Sequence, residues 1–244
     1  MGKKIAAFFD IDGTLTREAL MIKHFKQLVK YEVIDESVWN EKIKPVYETY
    51  DQRFKEYDSY LYLFAQIYKD KLKNINKYFN QYIAANVVDK NWNVVYKYTR
   101  NRIEYHKENG HLIFFISGSP DFLVEEMAKK YGITDYKGTT YLTDDNNNFT
   151  GELIQMWDSK SKRKQMLEFI DKYDIDIEKS YAYGDTSGDF SMLKKMKHGI
   201  AINPTKELLE LIRNDEKAKN TVDIIVERKD VIYNLSPDVR ILDI

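Results

Sequence analysis

The 244-residue chain contains no cysteine and only four prolines. The absence of cysteine excludes disulfides, thiolate metal sites and cysteine nucleophiles, and it fits a reducing cytoplasm. An excess of charge of one sign is also missing, because 38 Lys and Arg residues oppose 39 Asp and Glu residues for a net charge of −1. This balance gives no reason to expect binding to nucleic acid or to a membrane surface.

Long hydrophobic runs are absent as well. The first apolar stretch, residues 5–9 (IAAFF), stops at Asp10 and is too short for a signal peptide. No stretch approaches the ~18 apolar residues of a membrane span. Hydrophobic residues still make up 43% of the chain, which is enough to build a core, and the length predicts one or two domains. These features predict a globular cytoplasmic protein.

Apolar runs of strand length recur along the chain, and stretches with helical spacing lie between them. The runs are residues 5–9, 112–116, 180–183, 199–202 and 222–226. The first two are apolar throughout, as expected for strands of a parallel sheet that is covered on both faces. The helical stretches are 120–132, 159–173 and 204–214, the first and last opening on Pro120 and Pro204. This alternation predicts an α/β fold with a doubly wound, Rossmann-like parallel sheet.

One long interval interrupts this alternation. Residues 16–109 contain no strand pattern, and aromatic residues between Tyr57 and Tyr68 recur at helical spacing. We therefore expect a helical unit at 16–109, inserted into a core made of 1–15 and 110–244. The aromatic residues are expected to form the core of the insert, and contact with a substrate is the alternative.

A hairpin with an Asn-rich turn is predicted within YLTDDNNNFTGEL. This segment is not a calcium loop, because Phe149 occupies the position that requires Gly.

Acidic pairs follow two of the predicted strands. Asp10 and Asp12 close the first strand and point to the same side, whereas Asp185 and Asp189 bracket a Gly-containing turn after the third run. The carboxyl ends of strands in an open α/β sheet are where ligands bind. Carboxylates this close repel one another unless a cation is present, and ligation by oxygen alone favours Mg²⁺.

Groups suited to binding phosphate follow the second predicted strand. Ser117 offers a hydroxyl and Gly118 an unobstructed main-chain N–H, while Ser119 is expected to cap the helix that Pro120 opens. The N-terminus of a helix attracts anions. Basic residues crowd the start of a later helix at SKSKRK, where they oppose the helix dipole unless an anion is near.

Taken in order, these motifs resemble those of the haloacid dehalogenase superfamily of phosphatases. FFDIDGTLT, ISGSP, a lysine in SKSKRK and GDTSGD are similar to its four motifs, and the resemblance covers roughly residues 3–15 and 110–226. The helical insert resembles the cap of the phosphoserine phosphatase branch. The family implies a phosphatase that hydrolyses a small phosphorylated metabolite with the help of Mg²⁺.

The resemblance also implies roles for the four acidic residues. Asp10 would be the nucleophile that forms an aspartyl-phosphate, and Asp12 would act as general acid and then as general base. Asp10, the main-chain carbonyl of Asp12, and Asp185 would hold Mg²⁺, with Asp189 in support.

The same resemblance assigns the phosphoryl oxygens to Ser117, to the Gly118 amide and to a lysine. Lys162 is our choice for this lysine, with Lys160 and Lys164 as alternatives.

Three positions depart from the pattern of phosphoserine phosphatases. Gly188 stands where that branch has Asn, and Glu18 is offset by one residue from the position of a substrate-binding Glu, which Ala19 occupies. Arg53 is the candidate in the insert for an arginine that binds the substrate carboxylate. Another small phosphomonoester is therefore at least as good a candidate as phosphoserine.

Other functions remain open at this stage. A phosphoacceptor module of the receiver type uses similar residues, but its acceptor Asp lies on a strand in the middle of the chain. A catalytically silent phosphate-binding protein and a phosphotransferase are further alternatives. The histidines, at positions 24, 106, 111 and 198, are scattered in the sequence and are expected to be surface or hydrogen-bonded residues rather than metal ligands.

Overall fold

The computed structural model describes residues 2–52, 54 and 57–242, without the side chains of 57–59. The chain forms two compact units. The first contains the residues up to Ala19, Asn91–Thr140 and the residues from Gln155 onward, and the second contains Leu20–Lys90 and Tyr141–Ile154. Among the described residues, no helix is both long enough and apolar enough to span a bilayer.

The strands of the described chain are β1 (Ala6–Phe9), β2 (Leu112–Pro120), β3 (Asp135–Thr143), β4 (Phe149–Ile154), β5 (Tyr181–Gly184), β6 (His198–Ile202), β7 (Val222–Arg228) and β8 (Val231–Leu235). They pair in the order β4-β3-β2-β1-β5-β6-β7-β8. The pairs from β3 through β7 are parallel, whereas β8 runs antiparallel to β7. The predicted α/β class with a doubly wound, mostly parallel sheet is confirmed.

The α-helices are α1 (Leu20–Lys30), α2 (Lys44–Asp51), α3 (Tyr57–Leu72), α4 (Lys77–Asn91), α5 (Lys97–Glu108), α6 (Asp121–Tyr131), α7 (Ser159–Tyr173), α8 (Phe190–Lys195), α9 (Lys206–Arg213) and α10 (Glu216–Thr221). A π-helix spans Val38–Ile43, and a 3₁₀ turn spans Ser187–Asp189.

The first strand lies in the middle of the sheet, between β2 and β5. Its residue Phe9 is in register with Phe115 of β2 and with Tyr183 of β5. All four residues of β1 are buried, which explains why this strand is apolar throughout. Because the three strands are parallel, the segments that follow them meet at one edge of the sheet.

Aromatic packing fixes β1 and β2 against α7. Phe8 stacks on Phe114 at 5.0 Å between ring centroids, and Phe114 stacks on Phe169 at the same 5.0 Å. All three rings are at most 4% exposed. Replacing a buried Phe such as Phe114 with Ala costs about 3–5 kcal/mol, so this contact anchors the helix that carries the basic motif.

The second unit is mostly helical, and aromatic residues form its core. Tyr60, Phe64 and Tyr68 are each at most 1% exposed, as predicted from their spacing. Phe25 of α1 packs edge-to-face against Phe64 at 5.4 Å between centroids. The side chain of Tyr57, which belongs to the same pattern, lies outside the described residues.

Helix α5 belongs to the first unit, although it falls within the predicted insert at 16–109. Its Thr99 donates a hydrogen bond to the carbonyl oxygen of Thr14 at 2.7 Å, and Ile103 is fully buried. The buried face of α5 therefore packs within the unit that holds β1 and β2.

The tip of the predicted hairpin belongs to the second unit. The Asn-rich turn closes through a bond from the Asp144 amide to the Asn148 carbonyl at 2.9 Å, and the Asn74 amide donates to the Phe149 carbonyl at 2.8 Å. The expected core of 1–15 and 110–244 therefore differs from the first compact unit, which lacks Tyr141–Ile154 and also contains residues 91–109. That the helical segment acts as a cap stays a prediction.

Two predicted helix starts need correction. Strand β2 continues through Pro120, and α6 begins at Asp121 without a side-chain cap, so Ser119 is not an N-cap. Pro204 precedes Thr205, whose hydroxyl accepts from the Leu208 amide and caps α9. The predicted end of α6 at Gly132, in the left-handed conformation, is confirmed.

Candidate active site

Three buried carboxylates meet where β1 and β5 end. Asp10 follows β1, and its amide donates to the Tyr183 carbonyl of β5 at 3.0 Å. Oxygen atoms of Asp10, Asp185 and Asp189 lie within 4.8 Å of one another. These residues are 4%, 8% and 0% exposed. The acidic residues that close the two strands are therefore brought into one cluster.

The turn after Asp12 fits closely around Asp185. Gly13 has a φ of 85°, and a Cβ at this position would lie 2.0 Å from Oδ2 of Asp185. The hydroxyl of the next residue, Thr14, donates to Oδ1 of Asp185 at 2.9 Å. Any other residue than Gly would strain the backbone and displace this carboxylate. Sequence reasoning missed Thr14, although its position beside Gly13 was the available signal.

Asp189 stabilises the loop that carries Asp185 through hydrogen bonds to its backbone. Its Oδ2 accepts from the amides of Asp185 and Thr186, both at 3.1 Å. Within this loop, a Cβ on Gly188 would lie 2.3 Å from the main-chain oxygen of Trp157. The close approach of Trp157 explains why Gly stands where the phosphoserine phosphatase pattern has Asn.

Lys162 is the basic residue that reaches the acidic cluster. Its Nζ lies 2.7 Å from Oδ1 of Asp10 and 2.5 Å from Oδ1 of Asp189, and the residue is 3% exposed. Lys160 and Lys164 are exposed. Of the three lysines considered from the sequence, Lys162 therefore has the geometry expected of the motif lysine, and its role in binding phosphate stays a prediction.

Burial and mutual repulsion make it unfavourable for all three carboxylates of this cluster to be ionised at once. Burial, together with the charge of Asp189, raises the pKa of Asp10 to about 7, although Lys162 acts in the opposite direction. Burial, together with the charges of Asp10 and Asp189, also raises the pKa of Asp185 well above its usual value. Burial alone would lower the pKa of Lys162, but Asp10 and Asp189 outweigh it and keep the ammonium charged. One ammonium cannot neutralise three carboxylates.

The donor set fits a hard divalent cation. Within the described residues, Asp10, Asp185 and Asp189 are the acidic or histidine side chains grouped closely enough to hold a metal ion. Carboxylate oxygens are the ligands that Mg²⁺ prefers, and a cation would relieve the excess charge. The carboxylate of Asp12 is not in this group, so its predicted contribution through the main-chain carbonyl stays a prediction.

Ser117 and Gly118 lie on β2 at the same edge of the sheet. Ser117 is fully buried, and its Oγ accepts from the Ser119 amide at 3.2 Å. The carbonyl of Gly118 accepts from the Thr139 hydroxyl at 2.8 Å, which fixes the backbone of this segment. Phosphate binding by these two residues stays a prediction.

The carboxylate of Asp12 is held by two hydroxyl groups that sequence reasoning missed. Ser119 donates to its Oδ2. Thr16 donates to its Oδ1 at 3.2 Å. The signal for Ser119 was present, but a Ser before Pro at a helix start was assigned to capping.

The histidines are less scattered than their positions in the sequence indicate. His106 and His111 are hydrogen-bonded through their Nδ1 atoms at 2.8 Å, and Tyr181 stacks on both His111 and His198. His106 is fully buried and hydrogen-bonded, and His198 is exposed. His24 is also buried, and its Nδ1 is hydrogen-bonded to the Tyr68 hydroxyl at 2.8 Å. The four positions therefore agree with the expectation of hydrogen-bonded or surface residues.

The sequence model of the haloacid dehalogenase-like hydrolases matches residues 7–194. This match spans β1 through most of α8 and includes every residue of the acidic cluster. The chain therefore belongs to the haloacid dehalogenase-like hydrolase family of enzymes, as the motifs predicted.

Sequence and structure comparisons agree with this assignment. The chain is 22% identical over 214 residues to a histidinol-phosphatase of Neisseria meningitidis serogroup C (strain 8013), covering 84% of this chain and 93% of that protein. A protein of unknown function from Bordetella pertussis Tohama I has a similar fold, with a TM-score of 0.68, 16% identity, and coverage of 87% of this chain and 96% of that one. A phospho-aspartyl intermediate analogue of phosphoserine phosphatase gives a TM-score of 0.56 at 20% identity, covering 93% and 95% of the two chains.

Proposed function

We propose that the protein is a Mg²⁺-dependent phosphatase that hydrolyses a small phosphomonoester through an aspartyl-phosphate at Asp10. The observation that carries this proposal is the buried group of Asp10, Asp185, Asp189 and Lys162 at the carboxyl edge of β1 and β5, in a chain of this hydrolase family. The absence of cysteine fits the cytoplasmic location that belongs to the same proposal.

In the first half of the reaction, a carboxylate oxygen of Asp10 attacks phosphorus. The new bond joins Asp10 to the phosphoryl group, the bond from phosphorus to the ester oxygen breaks, and the leaving oxygen takes a proton from Asp12. A covalent intermediate divides one slow displacement into two easier steps. Lys162, Ser117 and the Gly118 amide would bind the equatorial oxygens, where charge must be stabilised.

In the second half, Asp12 removes a proton from water, and the water oxygen attacks the same phosphorus atom. The bond from phosphorus to Asp10 breaks, which regenerates the carboxylate and releases inorganic phosphate. When bound to Asp10 and Asp185, Mg²⁺ would supply charge neutralisation between the anionic nucleophile and the anionic substrate. Asp189 keeps Lys162 and the loop of Asp185 in place for both steps.

The substrate is proposed only as a class. Glu18 is exposed and Ala19 is buried at 4% exposure, so the buried position of the expected substrate-binding Glu carries a methyl group. Arg53, the candidate for a carboxylate contact, lies outside the described residues. Phosphoserine and histidinol phosphate, the substrates named for similar proteins, are both reasonable members of a test panel.

A direct assay tests this proposal. Purified protein is incubated with phosphoserine, histidinol phosphate and p-nitrophenyl phosphate, each with Mg²⁺ and with a chelator, and inorganic phosphate is measured. We expect Mg²⁺-dependent release from at least one ester. A folded protein that releases none contradicts the proposal and favours a silent binding protein or a receiver-type module. Consumption of the ester without equal release of inorganic phosphate would instead identify transfer to another acceptor.

A further inference from the structure

Ser119 has a location that its sequence context does not explain. It is 3% exposed near the end of β2, and the N-cap residue of the helix that follows is Pro120, which makes no side-chain cap. Its amide donates to the hydroxyl of Ser117, and its own hydroxyl donates to Oδ2 of Asp12. The Ser119 side chain is therefore directed to the proposed general acid and not to the start of α6.

The other oxygen of Asp12 has a hydroxyl partner from its own turn. Thr16 is 2% exposed, and its Oγ1 lies 3.2 Å from Oδ1 of Asp12 and 3.3 Å from the carbonyl oxygen of Ile11. The turn that carries Thr16 is rigid, because the amides of Leu15 and Thr16 both donate to Ile11 at 2.8 Å. The Ile11 carbonyl already accepts these two amides, so we assign the single hydroxyl proton of Thr16 to Asp12, and each oxygen of Asp12 then accepts from a buried hydroxyl.

A carboxyl group that transfers protons must lie in one orientation. Asp12 itself is only partly buried, so packing alone does not fix its side chain. Two hydroxyls, one on each oxygen, restrict rotation of the carboxyl group, and each oxygen keeps a lone pair when it carries the proton. A misplacement of about 1 Å in a reacting group lowers rates by about 10²-fold.

We propose that Ser119 and Thr16 are positioning residues that hold the Asp12 carboxyl for proton transfer to the leaving oxygen. This inference rests on the proposed phosphatase function. It makes a selective prediction, because an alkoxide leaving group needs a proton from Asp12, whereas p-nitrophenolate is stable enough to leave without one. Loss of positioning must therefore slow alkyl phosphates more than p-nitrophenyl phosphate.

The test compares kcat/KM for an alkyl phosphate that the wild type accepts and for p-nitrophenyl phosphate. For Ser119→Ala we expect a decrease of about 10²-fold on the alkyl ester and a much smaller one on the aryl ester, so the ratio changes at least about tenfold. Thr16→Val should change the ratio in the same direction, and Thr16→Ser, which keeps the hydroxyl, should restore it.

Ser180→Ala is the matched control. Ser180 is also fully buried, and its hydroxyl accepts from the Ala6 amide and donates to the Asp176 carbonyl, away from Asp12. Its loss should affect stability without changing the ratio between the two esters.

Each outcome is decisive. Equal decreases on both esters, or no decrease, would overturn the positioning role while leaving the phosphatase proposal intact. A wild type that hydrolyses neither ester would contradict the proposed function itself. Should Ser119→Ala fail to fold, the pair Thr16→Val and Thr16→Ser carries the test.

Discussion

Two buried polar clusters lie beside the same strand β5, and they differ in charge. In the acidic cluster, three carboxylates share one ammonium, that of Lys162. In the second cluster, His106 bonds to the Tyr183 hydroxyl at 2.9 Å and to His111 at 2.8 Å, and Arg102 donates to the same hydroxyl at 3.0 Å. We call these residues the histidine network.

The surroundings of His106 in the histidine network keep its imidazole neutral. Burial is the main cause, and the charge of Arg102 the second, that lowers the pKa of His106 to about 3. Burial raises the pKa of Tyr183, so its hydroxyl also stays neutral. Phe9 stacks on Tyr183 at 4.2 Å between centroids, so the network supports the strands that carry the acids. A buried cluster whose groups are hydrogen-bonded and include no repelling carboxylates contributes to the fold, whereas a cluster of three close carboxylates is suited to bind a cation.

The contrast between the acidic cluster and the histidine network predicts the largest loss of activity for Asp10→Asn. Removal of the nucleophile should lower kcat by at least about 10³-fold. Because the change removes one of three repelling carboxylates, the free energy of unfolding measured without divalent ions should not decrease. Turnover assays and chemical denaturation measure the two quantities. If the variant kept most of its activity, or clearly lost stability, the acidic cluster would not differ in role from the histidine network.

His106→Ala should give the opposite result. The change removes buried hydrogen bonds and leaves a cavity, so we expect a loss of about 2–4 kcal/mol in the free energy of unfolding. The kcat/KM of the folded variant should stay within about threefold of the wild type, since His106 does not contact the acidic cluster. Denaturation curves and assays well below the unfolding temperature provide the test, and a selective loss of activity at unchanged stability would contradict it.

Mg²⁺ should stabilise the protein through the acidic cluster. At about 100 times the dissociation constant, binding to the native state adds about 2.7 kcal/mol to the free energy of unfolding. This gain should disappear in Asp185→Asn. It should persist in Asp135→Asn, which changes a carboxylate that pairs with Lys172 at 2.9 Å elsewhere on the first unit. Thermal unfolding with and without Mg²⁺ would decide, and an equal gain in all three proteins would rule out this site.

The smallest expected effect is the change with pH in the contribution of His106 to the free energy of unfolding. Folding lowers the pKa of His106 from 6.5 to about 3. As the pH falls, the unfolded state therefore binds this proton at a higher pH than the native state does. Its contribution to stability is therefore fully present above pH 6.5 and is lost progressively as the pH falls towards 3. The stability difference between the wild type and His106→Ala should shrink by about 2 kcal/mol between about pH 7 and pH 5. A difference that stays constant or grows would show that His106 is protonated in the native state.

The sheet and the acidic residues could be predicted because their signals are local. Strands β1 and β2 are buried on both faces and so read as unbroken apolar runs. Asp10 and Asp185 follow such runs directly, and parallel pairing then brings them together. Strand β8 was missed because its apolar run, Val231 to Tyr233, is only three residues long and is exposed at the edge of the sheet.

The remaining features depend on contacts between segments far apart in the sequence. His106, His111 and Tyr183 meet only because α5 packs beside β2 and β5. A serine such as Ser119 reads the same in sequence whether its hydroxyl caps a helix or contacts Asp12. The limits of the compact units depend likewise on which face of α5 is buried, and periodicity alone does not give the partner.

The most direct test asks whether phosphorus becomes bonded to Asp10. Enzyme turning over a substrate is quenched and treated with borohydride, which reduces an acyl phosphate to an alcohol as phosphate leaves. Peptide mass spectrometry then locates the change. We predict homoserine at position 10, formed only in the presence of substrate and absent from Asp10→Asn. Active enzyme without this change, or with it at Asp12 or Asp185, would contradict the assignment of Asp10 as the nucleophile.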